Sequence, residues 1–163
     1  LDAVSRLRWP NAELAFRGAE ANGSTELLST YRGTIPVTFT PAQARSQLRR
    51  VYSDASILVL PSIEDGFGLV IGEALACGTP VIATTHSGGP DLIEHGVNGF
   101  LIRPGDADAL EGALTTAYED RELLTAMGRE ARRRSEQARG WGSYADTVLT
   151  ELQRAIRRRA GGH

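Results

Sequence analysis

The chain has 163 residues, a length for one domain with a core of its own. Hydrophobic residues make up 41% and charged residues 23%, an ordinary composition for a soluble domain, and a formal net charge of −2 argues against a nucleic-acid partner. A single cysteine, Cys77, excludes an intrachain disulfide and points to a reducing compartment, the cytoplasm.

Leu1 to Leu7 reads as a crossover helix, and it has no strand before it. A parallel βα unit needs that strand, so the expected sheet lacks its first member. Five short apolar runs follow: Leu14 to Phe16 closed by Gly18, Ile35 to Phe39, Ile57 to Leu60 ended by Pro61, Val81 to Ala83, and Phe100 to Ile102 ended by Pro104. Between them the helical stretches are Thr25 to Tyr31, Pro41 to Tyr52, Gly68 to Ala76 and Pro90 to Glu94. Strands alternating with helices predict an α/β fold, a Rossmann-like doubly wound parallel sheet of about five strands. The third run has no polar alternation, so it is expected to be buried on both faces. After Pro104 only helices are expected: one capped by Asp106 and ending near Tyr118, one from Asp120 to Ala138, and one from Ser143 to Arg159. No apolar stretch approaches the roughly 18 residues of a membrane span, and Leu1 to Val4 do not resemble a signal peptide.

The segment richest in chemistry runs from Pro61 to Pro80. A strand ends, a loop carries Glu64, Asp65, Gly66, Phe67 and Gly68, and a helix begins near Gly68 and closes at Gly78 in the C′ position. This places a helix N-terminus at the carboxyl end of a parallel strand, where open α/β sheets bind ligands. The free amides of Phe67, Gly68 and Leu69 together with the helix dipole favour an anion such as a diphosphate. Glycines at 66 and 68 allow a ligand to approach the backbone. Glu73, five residues into the helix, cannot favour a phosphate but can accept two hydrogen bonds from a vicinal diol such as a ribose. Asp65, at the mouth of the loop, can take sugar hydroxyls or, alternatively, cap the helix. Anion-binding amides flanked by two acids match the polarity of a nucleotide-sugar.

At these residues the chain resembles glycosyltransferase family 4, retaining enzymes of the GT-B fold. The family pattern of an acid, seven residues and Glu is met by Asp65 and Glu73. Asp65 stands where the family usually has Glu, and Glu64 just before it is the alternative sugar contact. The resemblance extends to Ser87-Gly88-Gly89-Pro90-Asp91, to Gly96 through Ile102, to the pair Trp141 and Tyr144, and upstream to Leu14 through Gly18. It implies one C-terminal, donor-binding domain over residues 1–163, half of a GT-B enzyme whose N-terminal acceptor domain is a separate part. The implied donor is a UDP- or GDP-sugar, transferred with retention and without a metal. Glu73 is then the ribose contact, Asp65 or Glu64 the sugar contact, and the backbone of Gly66, Phe67, Gly68 and Leu69 holds sugar hydroxyls and phosphate. Gly18 belongs to the matching strand end, and the backbone of Phe39 and Thr40 is the expected base contact. The family grips the diphosphate with an Arg and a Lys placed before the position of Leu1, whereas all 18 basic residues here are arginine. The isolated chain is therefore expected to bind donor weakly and to transfer no sugar. Two other readings are a non-catalytic donor-binding subunit, and another GT-B nucleotide-sugar enzyme such as an epimerase, against which the spacing of Asp65 and Glu73 argues.

His86 lies in the loop after the fourth strand, near the expected site, while His95 and His163 have no partners at metal-ligand spacing. Cys77 reads as a small buried residue. From residue 129 onward there are nine arginines, in runs at Arg129, Arg132 to Arg134 and Arg157 to Arg159, against four acids. They form either a solvated helix face or a contact with the anionic inner face of a membrane.

Overall fold

The structure, a computed structural model, describes residues 1–18, 24–137 and 141–160. The side chains of Trp141, Tyr144 and Arg159 lie outside the described part, as does His163.

Five parallel strands alternate with helices. Helix α1 (Asp2–Arg6) precedes β1 (Leu14–Arg17), α2 (Ser24–Ser29), β2 (Val37–Thr40), α3 (Arg45–Asp54) and β3 (Leu58–Leu60). Helix α4 (Leu69–Ala76) leads to β4 (Val81–Thr84), α5 (Gly89–Leu92) and β5 (Gly99–Ile102). Three helices then close the chain: α6 (Ala107–Glu119), α7 (Arg121–Gln137) and α8 (Trp141–Ala160). The expected helix over Pro41 to Tyr52 starts only at Arg45, because Ala44 is still extended, at φ −60° and ψ 144°.

The strands form two sheets rather than one. β1 pairs with β2, Leu14 opposite Val37. β3, β4 and β5 form the second, with Leu58 opposite Val81 and Val81 opposite Gly99. Within each sheet the strands that follow one another along the chain lie side by side and parallel, in the order β1-β2 and β3-β4-β5. This corrects the expectation for Ile57 to Leu60. Among the described residues β3 pairs with β4 alone and its three residues are half-buried, while every residue of β4 is buried.

β4 divides the core by the alternation of its side chains. Val81 and Ala83 pack with Tyr52, Ile71, Ala74, Leu75 and Ala131. Ile82 faces the other way, onto Phe100, Ile102, Ala113, Ala117 and Met127. α7 therefore serves both clusters. It comes close to the turn after α4, where a Cβ added at Gly128 would stand 2.7 Å from the Gly78 carbonyl oxygen. A third cluster of Val4, Leu7 and Ile35 joins α1 to the β1–β2 half, with Leu14 and Leu114 packed against it.

Helix ends follow local chemistry. The Asp106 carboxylate accepts from the Ala109 amide at 2.9 Å, as expected of the N-cap, and Asp120 accepts from Leu123 at 2.8 Å ahead of α7. Gly78, at φ 78°, lets Thr79 N–H turn back to the Ala74 carbonyl and ends α4. On α8 the side chains of Val148, Leu149, Leu152 and Ile156 are exposed. No helix among the described residues is long and apolar enough to cross a membrane.

Among the described C-terminal arginines four are ion-paired: Arg132 with Glu136, Arg133 with Glu130, Arg134 with Glu130 and Glu94, and Arg154 with Glu151. Hydrogen bonds from Arg133 and then Arg134 hold the Glu130 carboxyl down at about 2. A carboxyl whose pKa is depressed by folding contributes stability above its unfolded value and loses it as the pH falls through the folded value. A Glu130→Gln variant is thus expected to melt below the parent at pH 7. The gap should close as both are titrated from the ordinary carboxylate range toward pH 2, and a constant gap would argue against the ion pairs. Shortening Ile82, fully buried on β4, is expected to cost more. Ile82→Ala should lose about 2–5 kcal/mol in urea unfolding, since it leaves a cavity in the central strand.

Candidate functional site

The loop between β3 and α4 lies at the carboxyl edge of the three-stranded sheet, and it is held there by the adjacent strand. Thr84, buried at the end of β4, donates its hydroxyl to the Ser62 carbonyl at 2.7 Å. The Asp65 amide donates to the His86 carbonyl at 3.0 Å. Phe67 rests directly on Gly88, where an added Cβ would come within 1.9 Å of the Phe67 carbonyl oxygen. His86 thus meets the site loop through its backbone, and its side chain is exposed.

Asp65 closes the loop. Its Oδ1 accepts from the Gly68 amide at 3.0 Å, the capping interaction that was one of its two sequence readings. Gly68 adopts φ 63° and ψ 60°, a left-handed conformation that favours glycine, and is packed against Leu60 and Ile71. The helix begins at Leu69 with Gly68 as its N-cap, as expected, but the Gly68 amide is not free because Asp65 occupies it. Ile71 N–H also turns inward, to the Gly68 carbonyl at 2.8 Å. Among the described residues the amides of Phe67, Leu69 and Val70 remain for a ligand, at the positive end of the α4 dipole. The side chains of Phe67 and Leu69 are exposed, as are Glu64 and Gly66, so the mouth of the loop is open to solvent.

Glu73 is the fifth residue of α4, about 6 Å along its axis from Leu69. It is half-buried, and its Oε2 accepts a hydrogen bond from the Tyr52 hydroxyl at 2.9 Å. Burial, and then the adjoining carboxylate, push the Tyr52 hydroxyl well above the ordinary tyrosine range, so it stays protonated and donating. Tyr52 is itself tied down, its carbonyl accepting from the buried Thr79 hydroxyl at 2.7 Å. The sequence reading missed Tyr52, Thr84 and the support under Phe67, because residues 21 or more apart carry no spacing signal that they touch. Gly88 was visible only as part of a small-residue loop.

The remaining expected contacts sit at the carboxyl end of the other sheet. The Gly18 amide donates to the Thr40 carbonyl at 3.1 Å, tying the ends of β1 and β2. Phe39 stacks on Phe16 with ring centroids 4.8 Å apart, both partly exposed. The structure thus brings Gly18, Phe39 and Thr40 together as one group and Glu64 through Glu73 as another, on different sheets.

Parallel strands alternating with helices make this a Rossmann-like α/β fold, like that of one half of the GT-B glycosyltransferases. Residues 1–134 match the family described as glycosyl transferases group 1, and the chain belongs to that family. It is 38% identical over 130 residues to the D-inositol 3-phosphate glycosyltransferase of Streptomyces avermitilis, a match covering 78% of this chain and 28% of that protein. The chain therefore spans little more than a quarter of the length of that relative. Sucrose-phosphate synthase from Thermosynechococcus elongatus superposes with a TM-score of 0.82 at 27% identity, over 96% of this chain and 41% of that one. HepE from Anabaena, solved in complex with UDP, superposes with a TM-score of 0.77 at 25% identity, over 93% of this chain and 43% of that one.

The close seat of Phe67 on Gly88 can be tested without a ligand. Gly88→Ala is expected to push the loop off β4 and to cost about 1–3 kcal/mol, the range for forced overpacking. Amide exchange at Gly68 should accelerate in the same variant, and unchanged protection there would show that the loop does not depend on this contact.

Proposed function

We propose that this chain is the C-terminal, donor-binding domain of a family 4 glycosyltransferase that moves a sugar from a nucleoside diphosphate to an acceptor with retention. The observation that carries the reading is the arrangement on α4: unengaged amides at its N-terminus, and a carboxylate one turn further on, held from behind by a tyrosine. Amides and dipole suit the diphosphate, and the carboxylate suits a ribose diol. UDP is the expected nucleotide, since Anabaena HepE, of the same fold, was solved with UDP.

In this reading Glu73 takes the ribose, and the backbone from Gly66 to Leu69 takes phosphate and sugar hydroxyls. Asp65, with Oδ1 committed to the loop, offers its other oxygen to the donor sugar, and exposed Glu64 is the alternative. Gly18, Phe39 and Thr40 form the base side. No metal is required where helix amides and protein cations hold the diphosphate. An N-terminal acceptor domain supplies the opposite wall of the cleft and the remaining cations, so the domain alone binds donor and does not turn it over. Exposed Arg129, Arg157 and Arg158, with no acid partner among the described residues, are the arginines left for an anionic membrane surface at the cytoplasmic face.

Calorimetric titration with UDP, GDP and ADP tests the site. One nucleotide, expected to be UDP, should bind the parent and weaken at least tenfold in Glu73→Ala, about 1.4 kcal/mol. Equal affinity in the two proteins would remove Glu73 from the site. Sugar transfer by residues 1–163 alone would overturn the half-site reading.

A further inference from the structure

We propose that Tyr52 is a positioning residue for Glu73: its hydroxyl holds one carboxylate oxygen so that the other faces the ligand. The proposal rests on the reading of Glu73 as the diol-binding acid.

The geometry separates a rigid support from a mobile contact. Tyr52 is 8% exposed and sits in the core cluster with Ile71, Ala74, Leu75 and Val81. Its ring has two rotatable bonds, and packing on all sides removes that freedom. Its backbone is fixed as well, since Thr79, in the turn between α4 and β4, donates to its carbonyl. Tyr52 thus links α3 to the middle of α4 and to the turn that follows it. Glu73 is different: it is half-buried, and a glutamate side chain has three torsions to order before it can present a fixed pair of oxygens. The 2.9 Å bond from Tyr52 to Oε2 supplies that order before any ligand arrives. Oε1 has no partner among the described residues, so one oxygen is anchored and one is left for a hydroxyl.

The direction of the hydrogen bond serves the same end. The Tyr52 hydroxyl donates and stays protonated in the working range, so the Glu73 carboxylate is the acceptor for the tyrosine and for a ligand hydroxyl alike. A carboxylate can accept about four hydrogen bonds, so one from Tyr52 leaves room for both hydroxyls of a diol. A purely space-filling tyrosine would need only its ring, and that distinction sets the test.

Tyr52→Phe keeps the ring and deletes the donor. UDP affinity is expected to fall about five- to tenfold in this variant, with a folded near-ultraviolet spectrum. Affinity for 2′,3′-dideoxy-UDP, which lacks the diol, should be unchanged. In the Glu73→Ala background the second substitution should cause no further loss. If Tyr52→Phe binds UDP as tightly as the parent while Glu73→Ala is impaired, the positioning role is wrong and the diol reading stands. Equal weakening of UDP and the dideoxy nucleotide by Tyr52→Phe would likewise reject positioning in favour of a general structural effect. If Glu73→Ala itself leaves UDP affinity intact, or the parent binds no UDP, the diol reading fails and the proposal goes with it.

Discussion

The molecule is organised around one strand with no solvent-facing side. β4 buries Val81 and Ala83 against α3, α4 and α7, and Ile82 against α6 and α7. A strand covered on both faces must find helices for each, and the alternating sequence supplies them in order. The site depends on this constraint at the strand's end. Thr84 stops the buried run with a hydroxyl that anchors the preceding loop at Ser62. The α4 N-terminus is thereby fixed in relation to the sheet edge, not left to the loop's own preferences.

Around that loop the polar groups divide into those that build the site and those that remain for a ligand. Asp65 and the Gly68 amide engage each other, and the His86 carbonyl holds the Asp65 amide. These bonds fix a left-handed glycine as the N-cap from which the helix starts at Leu69. What remains is a short set of amides, the second oxygen of Asp65, exposed Glu64 and, on α4, one oxygen of Glu73. That economy is usual for a preformed polar site, where a few placed groups set orientation.

The two-sheet arrangement has a consequence for the site. The β1–β2 half joins the rest chiefly through α1 on α6, where Arg6 reaches Asp108 at 2.5 Å and Glu111 at 3.1 Å. Trp9 stacks on Tyr118 at 4.2 Å between centroids across the same junction. The exposed ion pairs add little alone, so the apolar cluster of Val4, Leu7 and Ile35 with the stacked rings carries more of the attachment. Gly18, Phe39 and Thr40 are positioned by this attachment, while Asp65 and Glu73 are positioned by β4.

The sequence by itself determined the elements and their kind. Five short apolar runs, three of them closed by Gly or Pro, became five strands, Asp106 and Gly78 marked helix ends, and the stretch from Pro61 to Pro80 read as a strand end, a loop and a helix. These are local signals, set by backbone preference and by side chains within a turn of one another. The tertiary structure alone decided which run becomes the buried centre, because an apolar tetrad reads the same on an edge as in a middle; Leu58 to Leu60 lies at an edge and Val81 to Thr84 in the middle. It alone decided that the Gly68 amide belongs to Asp65 and that Tyr52 stands behind Glu73. The second of these contacts joins residues 21 positions apart on separate helices. Such a pair is brought together by packing against a shared strand, and no periodicity along the chain encodes it.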